Sequence, residues 1–145
     1  MTQGMHRLSN VLITGFALTL MIVVAGSARA QEPGGSAEAR AVKNPVASTP
    51  AAVTAGAATY KKYCAFCHGA AGKGDGALVP KGMVPADLTD AKWVRGETDG
   101  EIFAVIMGGA GPKFEMKGYK GKIPDQDAWN IVHFLRSLAP PKAAR

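Results

Sequence analysis

Residues 64–68 read Cys64-Ala65-Phe66-Cys67-His68. Two cysteines three positions apart, followed at once by a histidine, form the pattern to which a c-type haem is attached. Each thiol can form a thioether with one haem vinyl group, and the adjoining imidazole is then carried under the iron as its proximal ligand. Cys64 and Cys67 are the two cysteines of the chain. A zinc site would lack its second pair of ligands. A thioredoxin-type dithiol would need a βαβ context, which the flanking sequence does not supply. A disulfide across so short a loop would add little stability. The expectation is one covalent haem c held by Cys64 and Cys67, with His68 as an iron ligand.

The sequence on either side of the motif is organised for such a group. Residues 53–63 read as a helix running into it, with Gly56 and Tyr60 four apart on one face. After it, residues 69–85 are a loop, Gly-Ala-Ala-Gly-Lys-Gly-Asp-Gly and then Pro80 and Pro85. No strand precedes these glycines and no Gly-Lys-Ser/Thr closes them, so they are not a phosphate loop. Glycine instead lets backbone pass close to a flat haem edge. Residues 87–94 are expected to form a short helix with Trp93 buried. Thr98-Asp99-Gly100-Glu101 is a capping box that opens a helix through about Met107, which Gly108 and Gly109 stop. A loop over residues 110–123 leads to a last helix at 124–138. Asp125 and Asp127 lie in its first turn, and Ala128, Ile131, Val132, Leu135 and Leu138 form its apolar stripe. His133 lies off that stripe and reads as solvated or partly buried. No segment alternates like a strand, so the fold class is all-α, three to five helices with long loops wrapped around one haem.

The ends differ in kind. Residues 1–30 read as a secretory signal peptide: His6 and Arg7 give a basic start, residues 11–26 are apolar and uncharged, and Ala28-Arg29-Ala30 is a small-x-small cleavage site. The apolar run is short for a span of about 20 residues, so cleavage after Ala30 is favoured over retention as an anchor. Cleavage removes Arg7 and Arg29 and no acid, taking the formal charge from +6 to +4. Residues 31–52, rich in Ala, Pro, Gly and Ser, read as a flexible linker. Residues 53–139 are the domain, and 140–145 a basic tail. About 90 residues make a small core, which an apolar cofactor would complete.

An electron-carrying c-type haem usually takes a sixth iron ligand, most often a methionine sulfur or a second histidine. Met83, Met107, Met116 and His133 lie outside the leader. Met107 falls in an apolar helix and suits the core. Met83 is only 15 residues past His68, in a proline-bounded loop. Met116 is 48 residues past His68, in an irregular loop able to wrap to the opposite haem face, and is the expected distal ligand.

Taken together, these residues resemble the class I monohaem cytochromes c, in particular the bacterial periplasmic subgroup. The resemblance covers residues 56–138. It is carried by Gly56-x-x-x-Tyr60, Cys64-Ala-Phe-Cys67-His68-Gly69, Gly72-Lys-Gly-Asp-Gly76, Pro85-Ala-Asp-Leu-Thr89, Ile106-Met-Gly-Gly109 and Trp129-Asn-Ile-Val-His-Phe-Leu-Arg-Ser-Leu138. It implies that the first and last helices cross at Gly56 and Phe134. It also implies that the axial methionine comes from the loop before the last helix, again Met116, and that a loop proline carbonyl, Pro85 rather than Pro80, accepts a hydrogen bond from His68. Lys117 and Ile123-Pro124 depart from the family pattern. In bacteria such haem is attached outside the cytoplasm, which agrees with the leader and implies a periplasmic protein, expected to be a monomer.

The implied function is one-electron transfer between redox enzymes, without catalysis of its own; no general base, nucleophile or substrate pocket is legible. The alternatives are a fixed electron-transfer subunit of a dehydrogenase or oxidase, a membrane-tethered cytochrome, and a haem enzyme or sensor with an open sixth site. Lys73, Lys81, Lys113, Lys117, Lys120 and Lys122 flank the motif in loops and would steer redox partners with acidic surfaces. A nucleic-acid partner is not expected without a dense basic stripe interleaved with aromatics.

Overall fold

The computed structural model describes residues 35–90, 93–111 and 116–138. The expected leader, Lys113 and the 140–145 tail lie outside the described residues. Five helices follow in order: α1 (Ala37–Ala41), α2 (Pro50–Tyr63), α3 (Ala65–His68), α4 (Asp99–Gly108) and α5 (Asp125–Leu138). Two short strands, β1 (Gly109–Ala110) and β2 (Met116–Lys117), pair antiparallel with Gly109 opposite Lys117 and Ala110 opposite Met116. The fold is thus the expected small all-α one, with this hairpin added in the 110–123 loop. Among the described residues no helix is long and apolar enough to cross a membrane.

Helix α2 starts where its sequence provides a cap. The Thr49 side chain accepts from the Ala52 N–H, and Pro50 at the first turn has no N–H to leave unpaired. Its buried residues Ala52, Gly56 and Tyr60 recur every fourth position and face α5. A Cβ built on Gly56 would lie 2.0 Å from the Asn130 carbonyl oxygen, so the two helices touch backbone to backbone there. The Tyr60 and Phe134 rings meet with centroids 5.0 Å apart. The expected crossing of glycine with an aromatic is therefore divided: Gly56 meets Asn130 backbone, and Phe134 meets Tyr60.

Helix α4 carries the capping box as expected, with Thr98 as N-cap. Gly109 ends it at φ 84°, where glycine has no steric penalty. Ile102 and Ile106 join Ile131, Val132 and Leu135 in the core, and Phe103 stacks on Trp129 at 3.9 Å between centroids.

Three expectations are corrected. Residues 35–52 are not a flexible linker throughout. Helix α1 packs on α4, and Arg40 donates to the Glu101 carboxylate from Nε (3.2 Å) and Nη2 (3.0 Å). Beyond it, Asn44 donates to the Trp129 carbonyl at 3.2 Å, and Val46 packs on the core. Polar Ala/Pro/Ser composition hid this strap, because it is held by side chains spaced too irregularly to show a period. His133, expected to be solvated or partly buried, is buried: its Nε2 lies 2.8 Å from the Val46 carbonyl and 3.1 Å from the Asn44 amide. In the 87–94 segment the described residues form turns, not a helix, and Trp93 is half-buried with its indole N–H on the Asp90 carbonyl at 3.0 Å.

Burial works to raise the Glu101 pKa, but it is outweighed. Donors from the Thr98 backbone and side chain, Arg40 and the Glu97 N–H hold the carboxyl below the usual carboxylate range. A depressed folded pKa contributes stability that is present above the unfolded value of about 4.3 and lost as pH falls through the folded one. Glu101→Gln is expected to lower stability at neutral pH by roughly 1–3 kcal/mol and to flatten the acid limb of the stability–pH curve, measured by denaturant unfolding from pH 7 to pH 3. Gly56→Ala is expected to cost about 1–3 kcal/mol or more, read as a lower denaturation midpoint at unchanged slope; an unshifted midpoint would show that the helices do not meet there.

Candidate haem site

Cys64 is at once the end of α2 and the start of α3. Its N–H bonds the Tyr60 carbonyl at 2.8 Å, and its own carbonyl accepts from Cys67 N–H (3.1 Å) and His68 N–H (2.9 Å). That single turn sets Cys64, Cys67 and His68, at positions i, i+3 and i+4, along one side of the backbone. Both cysteines are unpaired and partly buried. Burial, and then the neighbouring Cys67, push the Cys64 thiol up to about 12, so it is a neutral thiol at physiological pH.

The His68 imidazole is held from behind. Its Nδ1 lies 3.1 Å from the Ala86 carbonyl oxygen. A carbonyl only accepts, so Nδ1 carries the proton and Nε2 keeps its lone pair, the arrangement that a metal-binding histidine uses. Burial lowers the His68 pKa and the Ala86 hydrogen bond raises it; burial wins, and the ring is kept neutral. The acceptor is thus Ala86, one residue past the expected Pro85. The Pro85 carbonyl faces Gly74 instead, 2.5 Å from where a Cβ would stand.

That contact revises the reading of the glycine loop. Helix α3 ends with carbonyls that lack helical partners, and the loop supplies them: Gly76 N–H to Cys67 O (3.1 Å), Gly74 N–H to His68 O (2.9 Å) and Leu78 N–H to Phe66 O (2.9 Å). A Cβ on Gly76 would stand 2.2 Å from the Phe66 carbonyl. The glycines admit protein backbone to the motif and so brace it. Gly74, Gly76 and Ala86 lie in stretches quoted from the sequence, but their bracing role was not read there, because it depends on which carbonyls the folded loop meets.

Tyr60 and Tyr119 secure the other side. The buried Tyr60 hydroxyl donates to the Gly69 carbonyl at 2.8 Å, directly after His68. Tyr119 donates to the Tyr63 carbonyl at 2.7 Å, directly before Cys64. Burial raises both phenols, with Cys64 the next contributor to each.

Of the sequence-predicted residues, Cys64, Cys67 and His68 are therefore brought together on one turn, and Met116 is not on it. Met116 is half-buried in β2, three residues before Tyr119. Met83 is exposed in its loop, and Met107 packs against the core.

The residues fit a haem. Phe66 is 52% and Leu78 63% exposed beside the cysteines, and Val84, in the loop leading to Ala86, is 94% exposed. Exposed apolar side chains on the segments that carry two thiols and an imidazole lone pair are chemistry that an apolar, vinyl-bearing macrocycle would suit.

Comparison with known proteins decides the family. Residues 51–135 match the family described as cytochrome c oxidase, cbb3-type, subunit III. The chain belongs to this cytochrome c family. A chain of the Kuenenia stuttgartiensis reducing HAO-like protein complex is similar at 25% identity and a TM-score of 0.59, over 68% of this chain and 50% of that one. Cytochrome CL from the marine methylotrophic bacterium Methylophaga aminisulfidivorans shares the fold at 21% identity and a TM-score of 0.50, over 62% of this chain and 57% of its own. The chain thus spans half the length of the first neighbour and little more than half of the second. No curated protein sequence matches it. The recognition as a class I cytochrome c and the small all-α fold both stand, and with them haem c as the cofactor that the family implies.

Proposed function

We propose that this cytochrome c domain is an exported one-electron carrier whose haem is held by Cys64 and Cys67, with His68 and Met116 as axial ligands. The observation that carries this reading is the His68 ring, fixed at Nδ1 by the Ala86 carbonyl with its Nε2 lone pair free, on the same turn as both thiols. The haem supplies a reversible Fe(III)/Fe(II) couple. The chain's part is to hold a nitrogen and a sulfur ligand through both oxidation states, so that little reorganises on transfer. Methionine ligation and an apolar surround raise the reduction potential relative to harder ligands.

Redox partners with acidic surfaces fit the charge around the motif. Lys61 and Lys62 stand exposed at the end of α2, and Lys117, Lys120 and Lys122 on the segment that Tyr119 ties to it. Of the other lysines, Lys81 is exposed and Lys73 is engaged by Asp87 and Thr89. Export to the periplasm and cleavage after Ala30 are parts of the same proposal, supported by the sequence of the leader, and a monomeric state is proposed with them.

A second reading, a fixed subunit of a redox complex, is favoured by the family description and by the neighbour from a protein complex. Affinity purification from the native host separates the two: a carrier comes away alone, and a subunit brings stoichiometric partners with it.

The ligand assignment is tested by visible spectra of the exported protein beside Met116→Ala. The expected wild type keeps its haem on denaturation and is low-spin with a methionine–iron charge-transfer band, which the variant loses. A wild type that is high-spin and binds carbon monoxide rapidly when reduced would instead be a haem enzyme or sensor.

A further inference from the structure

Met116 reaches its place on a segment whose contacts are unevenly distributed. On one side it is locked to α4: the Met116 carbonyl lies 2.5 Å from a Cβ built on Gly109, and one built on Gly118 would lie 2.5 Å from the Met107 carbonyl. Tyr119 N–H and Lys120 N–H continue this by bonding Ile106 O (3.0 Å) and Met107 O (3.1 Å). On the other side, among the described residues, a side chain ties it to the haem motif. The Tyr119 hydroxyl donates to the Tyr63 carbonyl at 2.7 Å, and the two rings meet edge to face at 5.9 Å. Tyr63 is the last residue of α2, where carbonyls lack helical partners, so the bond meets a real need.

We propose that Tyr119 is a positioning residue, a latch between the Met116 segment and the end of α2 that sets how firmly the methionine sulfur stays on the iron. The inference rests on the ligand assignment above. The chain of contacts is short: Met116 to Tyr119 is three residues, and Tyr63 to Cys64 is one. Lys62 and Lys122 lie over the two rings, at 4.9 Å and 5.7 Å from the Tyr63 and Tyr119 centroids, covering the latch from the solvent side. Tyr60 makes an equally good hydroxyl bond, but to Gly69, on the His68 side. It therefore provides a matched control: loss of a buried phenol without loss of the link to Met116.

The test is an imidazole titration of the haem-loaded ferric protein, read at the methionine–iron charge-transfer band. Tyr119→Phe removes one hydrogen bond and is expected to raise the apparent imidazole affinity roughly two- to tenfold, with the band weakened before imidazole is added. Tyr60→Phe, whose bond supports the His68 side, is expected to lower the denaturation midpoint and to raise the imidazole affinity clearly less than Tyr119→Phe does. Equal shifts in both variants, or none in Tyr119→Phe, overturn the latch. If Met116→Ala keeps the wild-type band, the ligand assignment fails and the latch with it. If Met116→Ala loses the band while Tyr119→Phe behaves as wild type, the latch alone fails. Should Tyr119→Phe not load haem, native-state hydrogen exchange of the wild type decides. The Tyr119, Lys120 and Cys64 amides are expected to open together, and opening of the first two independently of Cys64 overturns the proposal.

Discussion

The backbone contact between Gly56 and Asn130 is the constraint on which the remainder depends. Where two helices meet without intervening side chains, neither can slide without collision, so their register is fixed as well as their distance. That register brings Tyr60, one turn along α2, against Phe134. It also aims the Tyr60 hydroxyl at the Gly69 carbonyl, beyond the end of α3. The motif is thus positioned from both ends: α2 runs directly into Cys64, and its Tyr60, packed on Phe134 of α5, holds Gly69. The glycine loop then closes over the α3 carbonyls and brings Ala86 behind His68. A helix crossing several turns from the cysteines in this way determines where the imidazole points.

A second knot lies at the start of α4. Glu101 is almost wholly buried, and a buried carboxylate without partners would be costly. Here its oxygens take donors from Arg40, Glu97 and Thr98. Arg136 of α5 reaches the neighbouring Asp99 at 2.7 Å. The first turn of α4, where the helix dipole favours negative charge, is therefore grasped by an arginine from α1 on one side and an arginine from α5 on the other. This ties the strap at 35–46 into the domain, and it does so with pairs that are far apart in sequence.

That distance in sequence separates what the chain disclosed from what it concealed. Helices α2, α4 and α5 were legible because a cap, a glycine stop or an apolar stripe is a local signal. The motif turn was legible for the same reason, since Cys64, Cys67 and His68 lie within five consecutive residues. The strap was not, because Arg40 gains its meaning from Glu101 and Asn44 from Trp129 and His133. Ala86 was missed by one position, because which carbonyl faces His68 is decided by how Gly74 packs under Pro85. The short hairpin was missed because two residues per strand give no alternation to detect.

The same division runs through the proposed iron site. The nitrogen ligand is fixed by one helical turn, a geometry that needs only residues 64–68 to be helical and then gains Ala86 and Gly69 as supports. The sulfur ligand has no local geometry of its own. Its place follows from Gly109 and Gly118 closing on the end of α4 and from Tyr119 reaching α2, so it exists only when the tertiary structure is closed. If Met116 is the sulfur ligand as proposed, thermal loosening or a partner that strains the 116–123 segment would act on the sulfur side first, while the cysteines and His68 stayed in register. In a protein that must keep both ligands through each electron transfer, the residues outside the motif would then control the hold on the sulfur and the resistance to foreign ligands, and the motif would supply the attachment and the nitrogen ligand.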